Sequence, residues 1–132
     1  MKILWVAVAW AKTCDPVSVD NSTQAHVSDG FGLVVRFTVR DGCEREFDEL
    51  VAATVEAIEA HEPGTLLYVT HAVKEEPAIR IFYELYRDRA AFDAHEAQPH
   101  TRHFLNERER LVDAVEVDWL SPMAQAGVGQ RP

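Results

Sequence analysis

The sequence predicts an α+β fold in which helices cover one face of an antiparallel β-sheet, and three observations predict it. Apolar residues alternate with period two in several short runs and repeat at helical spacing in others. Turn signals stand where the period changes, at Asp41-Gly42, Pro63-Gly64 and Glu75-Glu76-Pro77. The chain has 132 residues, about the length of one domain with one modest core.

Each element has its own justification. Leu33, Val35, Phe37 and Val39 alternate with Val34, Arg36, Thr38 and Arg40, which predicts a strand over 31–40. Cys43 to His61 is predicted helical, because Phe47, Leu50, Val51, Thr54, Val55 and Ile58 recur at helical spacing while the acidic residues fall mostly on the other side. Pro63-Gly64 ends it. Leu66 to Lys74 and Ala78 to Tyr86 are β-like, and their short separator suits a hairpin. Asp88 suits the N-cap of a helix running to about Ala97, and Pro99 stands early in a second helical stretch reaching to about Val112. Val115, Val117 and Trp119 alternate with Glu116, Asp118 and Leu120 as a last strand. This order is that of a split βαβ, ferredoxin-like domain.

Periodicity assigns His71, with Leu67, Val69 and Val73, to the sheet face that meets the helices, and Tyr83, with Ile79, Ile81 and Leu85, likewise. Val34, Tyr68, Phe82 and Tyr86 are then expected on the opposite face. A small monomer does not leave so apolar a set in water, so two sheets packed face to face in a twofold homodimer are predicted.

Residues 1–29 read as an N-terminal extension. Ile3, Trp5 and Ala7 alternate with Leu4, Val6 and Val8, as in a strand buried on both faces, and a polar linker follows from Asp15 to Asp29. The same run has the outline of a short secretory leader, although Lys12 stands where a small residue is wanted and the run falls short of the ~20 residues that span a bilayer. The domain is expected to occupy 30–122, with a flexible tail over 123–132.

Composition narrows the function. With 47% hydrophobic and 27% charged residues, disorder is excluded. A net charge of −9 disfavours nucleic acid and anionic membranes as partners. Cys14 and Cys43 form neither a disulfide framework nor a cysteine zinc site, which points to a reducing, cytoplasmic setting. His100 and His103 have a spacing that can bind metal, with His95 nearby, but Pro99 intervenes and no cysteine joins them; no metal is expected.

The stretch from Glu62-Pro63-Gly64 through Phe82-Tyr83-Glu84-Leu85-Tyr86-Arg87-Asp88, then Ala91-Phe92, His95, Pro99-His100 and Phe104, resembles the antibiotic biosynthesis monooxygenase domain family. The resemblance covers roughly Phe31 to Leu120 and implies a dimeric α+β barrel. It spans several reactions: cofactor-free oxygenation of quinols and anthrones in secondary metabolism, haem degradation, and isomerisation of a phosphorylated autoinducer. The haem-degrading pattern fits poorly, since it wants an asparagine near Val35, a tryptophan near His95 and a histidine near Leu105. The anthrone pattern matches at His71 but has Tyr86, Phe82 and Phe92 where a tryptophan, an asparagine and a tyrosine are wanted. The run from Tyr83 to Asp88, with His95 and His100, is most similar to the quinol monooxygenase and autoinducer-processing branches.

These residues define the candidate site. His71, His95 and Tyr83 are the expected catalytic residues, and His100, Glu84, Tyr86, Phe82, Phe92 and Phe37 the expected substrate contacts. A buried imidazole can take the proton of a phenol or enol. The anion left behind can reduce dioxygen by one electron and combine with it, with no cofactor; without oxygen the same abstraction gives isomerisation. Each residue also has a plainer reading. His71 can donate to a backbone carbonyl, His95 can pack against Glu84, Glu84 can pair with Arg36, Arg80 or His95, and the tyrosines can simply pack. His26 and His61 are assigned to the surface and His103 to the rim. The leading expectation is a cofactor-independent monooxygenase of a quinol-like or polycyclic phenolic metabolite. The alternatives are an isomerase of a small enolisable carbonyl compound and a non-catalytic metabolite-binding dimer.

Overall fold

A computed structural model describes residues 30–124 and 126. The expected strand and linker over 1–29 lie outside the described residues, as do most positions of the expected tail.

Seven elements follow in the predicted order: β1 (Phe31–Val39), α1 (Glu44–His61), β2 (Thr65–Val73), β3 (Glu76–Tyr86), α2 (Arg89–Ala97), α3 (Pro99–Arg108) and β4 (Val112–Leu120). The sheet order is β2-β3-β1-β4 with every neighbour antiparallel, which is the ferredoxin-like topology. α1 buries Phe47, Val51, Thr54 and Ile58, one stripe at helical spacing, against the sheet. Glu44 and Glu46 in its first turn complement the helix dipole, although Cys43 supplies no side-chain cap. Asp88 caps α2 as expected, its Oδ1 accepting the Ala91 amide at 2.8 Å.

Three boundaries differ from the sequence reading. The hairpin turns at Lys74-Glu75, with Glu75 at φ 69°, so that Glu76 and Pro77 already belong to β3. The second helical stretch stops at Arg108, short of Val112. Leu111 instead turns its carbonyl to the Arg40 amide at 2.8 Å and starts the pairing of β4.

The larger correction concerns the faces of β2 and β3. Residues opposite one another in an antiparallel pair point to the same side. Leu33 pairs with Glu84, Val35 with Phe82, and Phe37 with Arg80; Tyr68 in turn pairs with Glu84. Tyr68, Phe82, Glu84 and Tyr86 therefore face the helices, contrary to expectation. Tyr83, paired with Val34, and His71, paired with Ile81, lie on the open face. β1 itself follows the prediction. The misleading feature was charge: in β3 the inward set carries Arg80 and Glu84, whereas the outward set is wholly apolar or aromatic, so the charged set looked like the solvent side.

The inward charges are accommodated by specific partners. Arg80 makes two hydrogen bonds to Asp48 of α1, at 2.8 and 3.0 Å, and so ties β3 to the helix layer. The core around it is aromatic. Phe37 meets Phe47, Phe82 and Phe104 with ring centroids 4.6 to 6.0 Å apart, and a second group joins Phe31, Phe92, Tyr86 and Trp119. Among the described residues, no helix is long and apolar enough to cross a membrane.

Candidate active site

Between the sheet and α2–α3 lies a cluster of buried polar groups that begins at the end of α1. Glu62 caps that helix through its backbone, its amide donating to the Ile58 carbonyl at 2.9 Å. Its side chain turns inward and is only 4% exposed. Three groups hold it. Thr65 Oγ1 donates to Oε1 at 2.8 Å, His95 Nδ1 lies 2.8 Å from the same oxygen, and His100 Nε2 meets Oε2. Facing a carboxylate, each of these ring nitrogens carries the proton and donates. Nδ1 of His95 being engaged, Nε2 is the nitrogen left to exchange a proton.

The turn carrying Glu62 is fixed in place. Gly64 accepts the Arg87 amide at 2.9 Å, and a Cβ at Gly64 would stand 2.7 Å from the Ala91 Cβ, so only glycine lets the turn sit on the start of α2. One helical turn beyond Ala91 comes His95, itself 5% exposed. The imidazole lies against Tyr86 and Tyr68, at centroid distances of 5.2 and 5.7 Å.

Glu84 sits beneath this ring. It accepts the Tyr86 hydroxyl at 2.7 Å and also bears on the Tyr68 phenol. Burial pushes its carboxyl above the usual carboxylate range, with His95 and the two phenols opposing. Burial, reinforced by the Glu84 charge, likewise pushes both tyrosines well above their ordinary value, so they remain neutral donors. Glu96, one residue after His95, is pushed up to about 7 by burial. For His95, burial alone would weaken proton binding, but the Glu62 hydrogen bond and the charge of Glu84 overcome it and raise the ring above its ordinary value. Glu62 goes the other way: the bonds from His95, His100 and Thr65 outweigh its burial and hold it below the usual range.

Two spaces adjoin the cluster. A small cavity of about 20 Å³, room for about one water, is lined by Tyr68, Glu84, His95, Glu96, Thr101 and Arg108, with Val35, Phe37 and Phe104 as its apolar wall. An open groove of about 540 Å³ runs between α1 and β2 over Val51, Val55 and Phe82, with His71 and Arg80 at its border. That is the size of small-molecule sites. Phe82 is shared ground, since its ring lies 5.8 Å from Tyr68.

Of the residues singled out by sequence, the structure gathers His95, His100, Glu84 and Tyr86 into one cluster, with Phe37 on the cavity wall and Phe82 on the groove. His71 is exposed on the open face, its Nδ1 3.2 Å from the Ile81 carbonyl, and Tyr83 is on that face too. Phe92 is fully buried between Tyr86, Phe31 and Trp119 and lines neither space. His95 pairs with Glu62 rather than Glu84. Glu62, Tyr68, Glu96 and Arg108 were missed as site residues. The one signal for Glu62 was its place beside Pro63-Gly64, where a helix-ending turn can aim a side chain inward. Among the described residues, no group of three or more histidine, cysteine or acidic side chains is arranged to hold a metal ion.

The fold and this cluster define a ferredoxin-like α+β domain with a titratable centre buried between sheet and helices. The profile of the antibiotic biosynthesis monooxygenase family matches residues 30–107, more than half of the chain, and the chain belongs to that family. Solved structures agree. A Bacteroides thetaiotaomicron protein whose name places it in the same family superposes with a TM-score of 0.70 at 24% identity, covering 77% of this chain and 96% of that one. PA3566 from Pseudomonas aeruginosa gives 0.68 at 27% identity, covering 76% and 100%, and Rv0793 from Mycobacterium tuberculosis gives 0.69 at 23%, covering 74% and 99%. No curated protein sequence matches the chain significantly.

Proposed function

We propose that this protein is a cofactor-independent monooxygenase acting on a quinol-like or polycyclic phenolic metabolite, with His95 as the base. The observation that carries the reading is the buried His95–Glu62 pair beside two neutral tyrosines and an apolar wall. A carboxylate behind Nδ1 orients the ring and strengthens Nε2 as a proton acceptor, an arrangement worth on the order of 10²–10⁴ in rate for proton abstraction. The reaction balances without flavin or metal. His95 removes one proton from an activated C–H or O–H, the resulting anion gives an electron to dioxygen, and the radicals combine as a peroxide. That peroxide takes the proton back and loses water to leave a carbonyl.

The small cavity cannot hold the substrate as it stands. In this reading the aromatic body lies in the groove over Phe82, and rotation of Phe82 and Tyr68 joins the groove to His95. His71, at the groove's border, is left a contact role. The test is dioxygen uptake by chelator-treated protein with a panel of hydroquinones and anthrones. Replacing His95 by Gln should lower uptake at least a hundredfold, whereas His71→Ala should lower it far less; equal losses, or uptake unchanged in the His95 variant, would overturn the assignment of the base.

The open sheet face supports a second part of the proposal. It carries half-buried Val34, Ile81, Tyr83 and Leu67, with Val69 and Leu120 still 38% and 39% exposed. A second copy of the chain covers it in a twofold homodimer. Light scattering at micromolar concentration should give twice the mass of one chain, and Tyr83→Asp should halve it; a wild-type mass of one chain refutes the dimer.

A further inference from the structure

We propose that His100 is a positioning residue for His95, acting through the carboxylate they share, so that a proton gained by one ring weakens the hold of the other on its own. The inference rests on the proposed role of His95 as base. Its structural ground is independent of any substrate: two imidazoles donate to the two oxygens of one buried carboxylate, Nδ1 of His95 to Oε1 and Nε2 of His100 to Oε2. Glu62 carries a single negative charge, so it can compensate one imidazolium but not two.

Of the acids around the trio, Glu62 is the one whose carboxylate bonds to both rings. From β2 comes Tyr68, from β3 Glu84 and Tyr86, from α2 Glu96, from α3 Arg108, and from the end of α1 the exposed ring of His61, whose centroid is 6.3 Å from that of His100. The tyrosines are neutral, the charge of Glu84 adds to the hold on the His95 proton, and burial pushes the Glu96 carboxyl up to about 7. Arg108 adds a positive charge that opposes a second imidazolium. Glu62 thus remains the anion that both rings depend on.

Position gives this coupling a direction. The side chains of Glu62 and His95 are 4% and 5% exposed, whereas His100 keeps 14%, and it is the member of the trio that reaches water. When His100 is an imidazolium, a proton taken up at Nε2 of His95 from the cavity side therefore favours release of the Nδ1 proton of His100 to solvent, with its Nε2–H bond to Glu62 kept. The trio keeps its charge, and the proton count balances without any ion crossing the core.

Histidine-selective NMR of the full chain, titrated from pH 4.5 to 9, tests this without a substrate. In the wild type the His95 and His100 curves should each be broadened by the other, with two inflections in place of one. In H100Q the His95 midpoint should rise by about one pH unit, a tenfold gain in proton affinity, and in H95Q the His100 midpoint should rise by the same amount, because coupling between two sites is reciprocal. A residue that only packs would not give equal shifts. Independent single-inflection curves in the wild type, or shifts that are absent or unequal, overturn the proposal. If the reciprocal shifts are found but dioxygen uptake is not, the oxygenase reading fails and the coupling stands; uptake that needs His95 without the shifts has the opposite meaning.

Discussion

Replacing Glu96 by Gln should make the protein more stable at pH 8 and leave it unchanged near pH 4.5. Glu96 Oε2 is buried and has no hydrogen-bond partner among the described residues, and burial raises the carboxyl from 4.5 to about 7. An acid whose folded value is raised binds its proton more tightly when folded. Its cost to stability is therefore absent below about pH 4.5, grows as the pH rises, and is complete above about 7. At about 1.4 kcal/mol per pH unit, that interval corresponds to about 3.5 kcal/mol, an upper figure because the side chain is partly exposed. Gln keeps the shape and cannot ionise, so it escapes the cost. Urea denaturation of both proteins at pH 4.5, 6 and 8 is the assay, and the midpoint of the variant should exceed that of the wild type by on the order of 1 M at pH 8. A difference independent of pH, or a wild type more stable than the variant at pH 8, would refute the reasoning. It would show that the Glu96 carboxylate is as comfortable in the fold as in water.

Glu62→Gln should destabilise by about 3 kcal/mol, as breaking a buried ion pair does. The loss should be greatest between about pH 5 and 6.5 in urea titrations: the Glu62 contribution is present above 4.5 and fades as the pH falls through its depressed folded value, and that of His95 is complete below 6.5 and fades as the pH rises through its elevated one. Gly64→Ala should cost about 1–3 kcal/mol in the same assay, because the added methyl meets the Ala91 side chain at 2.7 Å, well inside contact distance.

The elements of this fold were legible because each is written locally. β1 alternates, α1 repeats its apolar stripe, and Asp88 announces α2 with a cap that the structure shows in use. The faces of β2 and β3 were not, because a strand with two plausible inward sets is decided by its neighbours. Glu84 comes inward because it stands opposite Leu33 and beside Tyr68 and Tyr86; Tyr86 is two residues on in the same strand, but Leu33 and Tyr68 lie far from it in sequence. His95 was placed correctly, since Phe92 three residues earlier fixes the inward side of α2. Its partner was not foreseen, because Glu62 is 33 residues away and looks like any acidic residue at the end of a helix. A buried site violates the rule that charge faces water, and that rule is what assigns faces from sequence.

The close seat of Gly64 on Ala91 has a consequence for how this chemistry can vary among related chains. Gly64 has no side chain and that of Ala91 no polar atom, yet their close approach sets how far Glu62 stands from His95, because one residue lies two positions from the carboxylate and the other one helical turn from the ring. Enlarging position 91 would lift the turn and lengthen the Glu62–His95 bond, and the ring's affinity for its proton would fall with no titratable group having changed. Two of the smallest residues in the chain thus act as a spacer for the Glu62–His95 pair, and they are free to change only together.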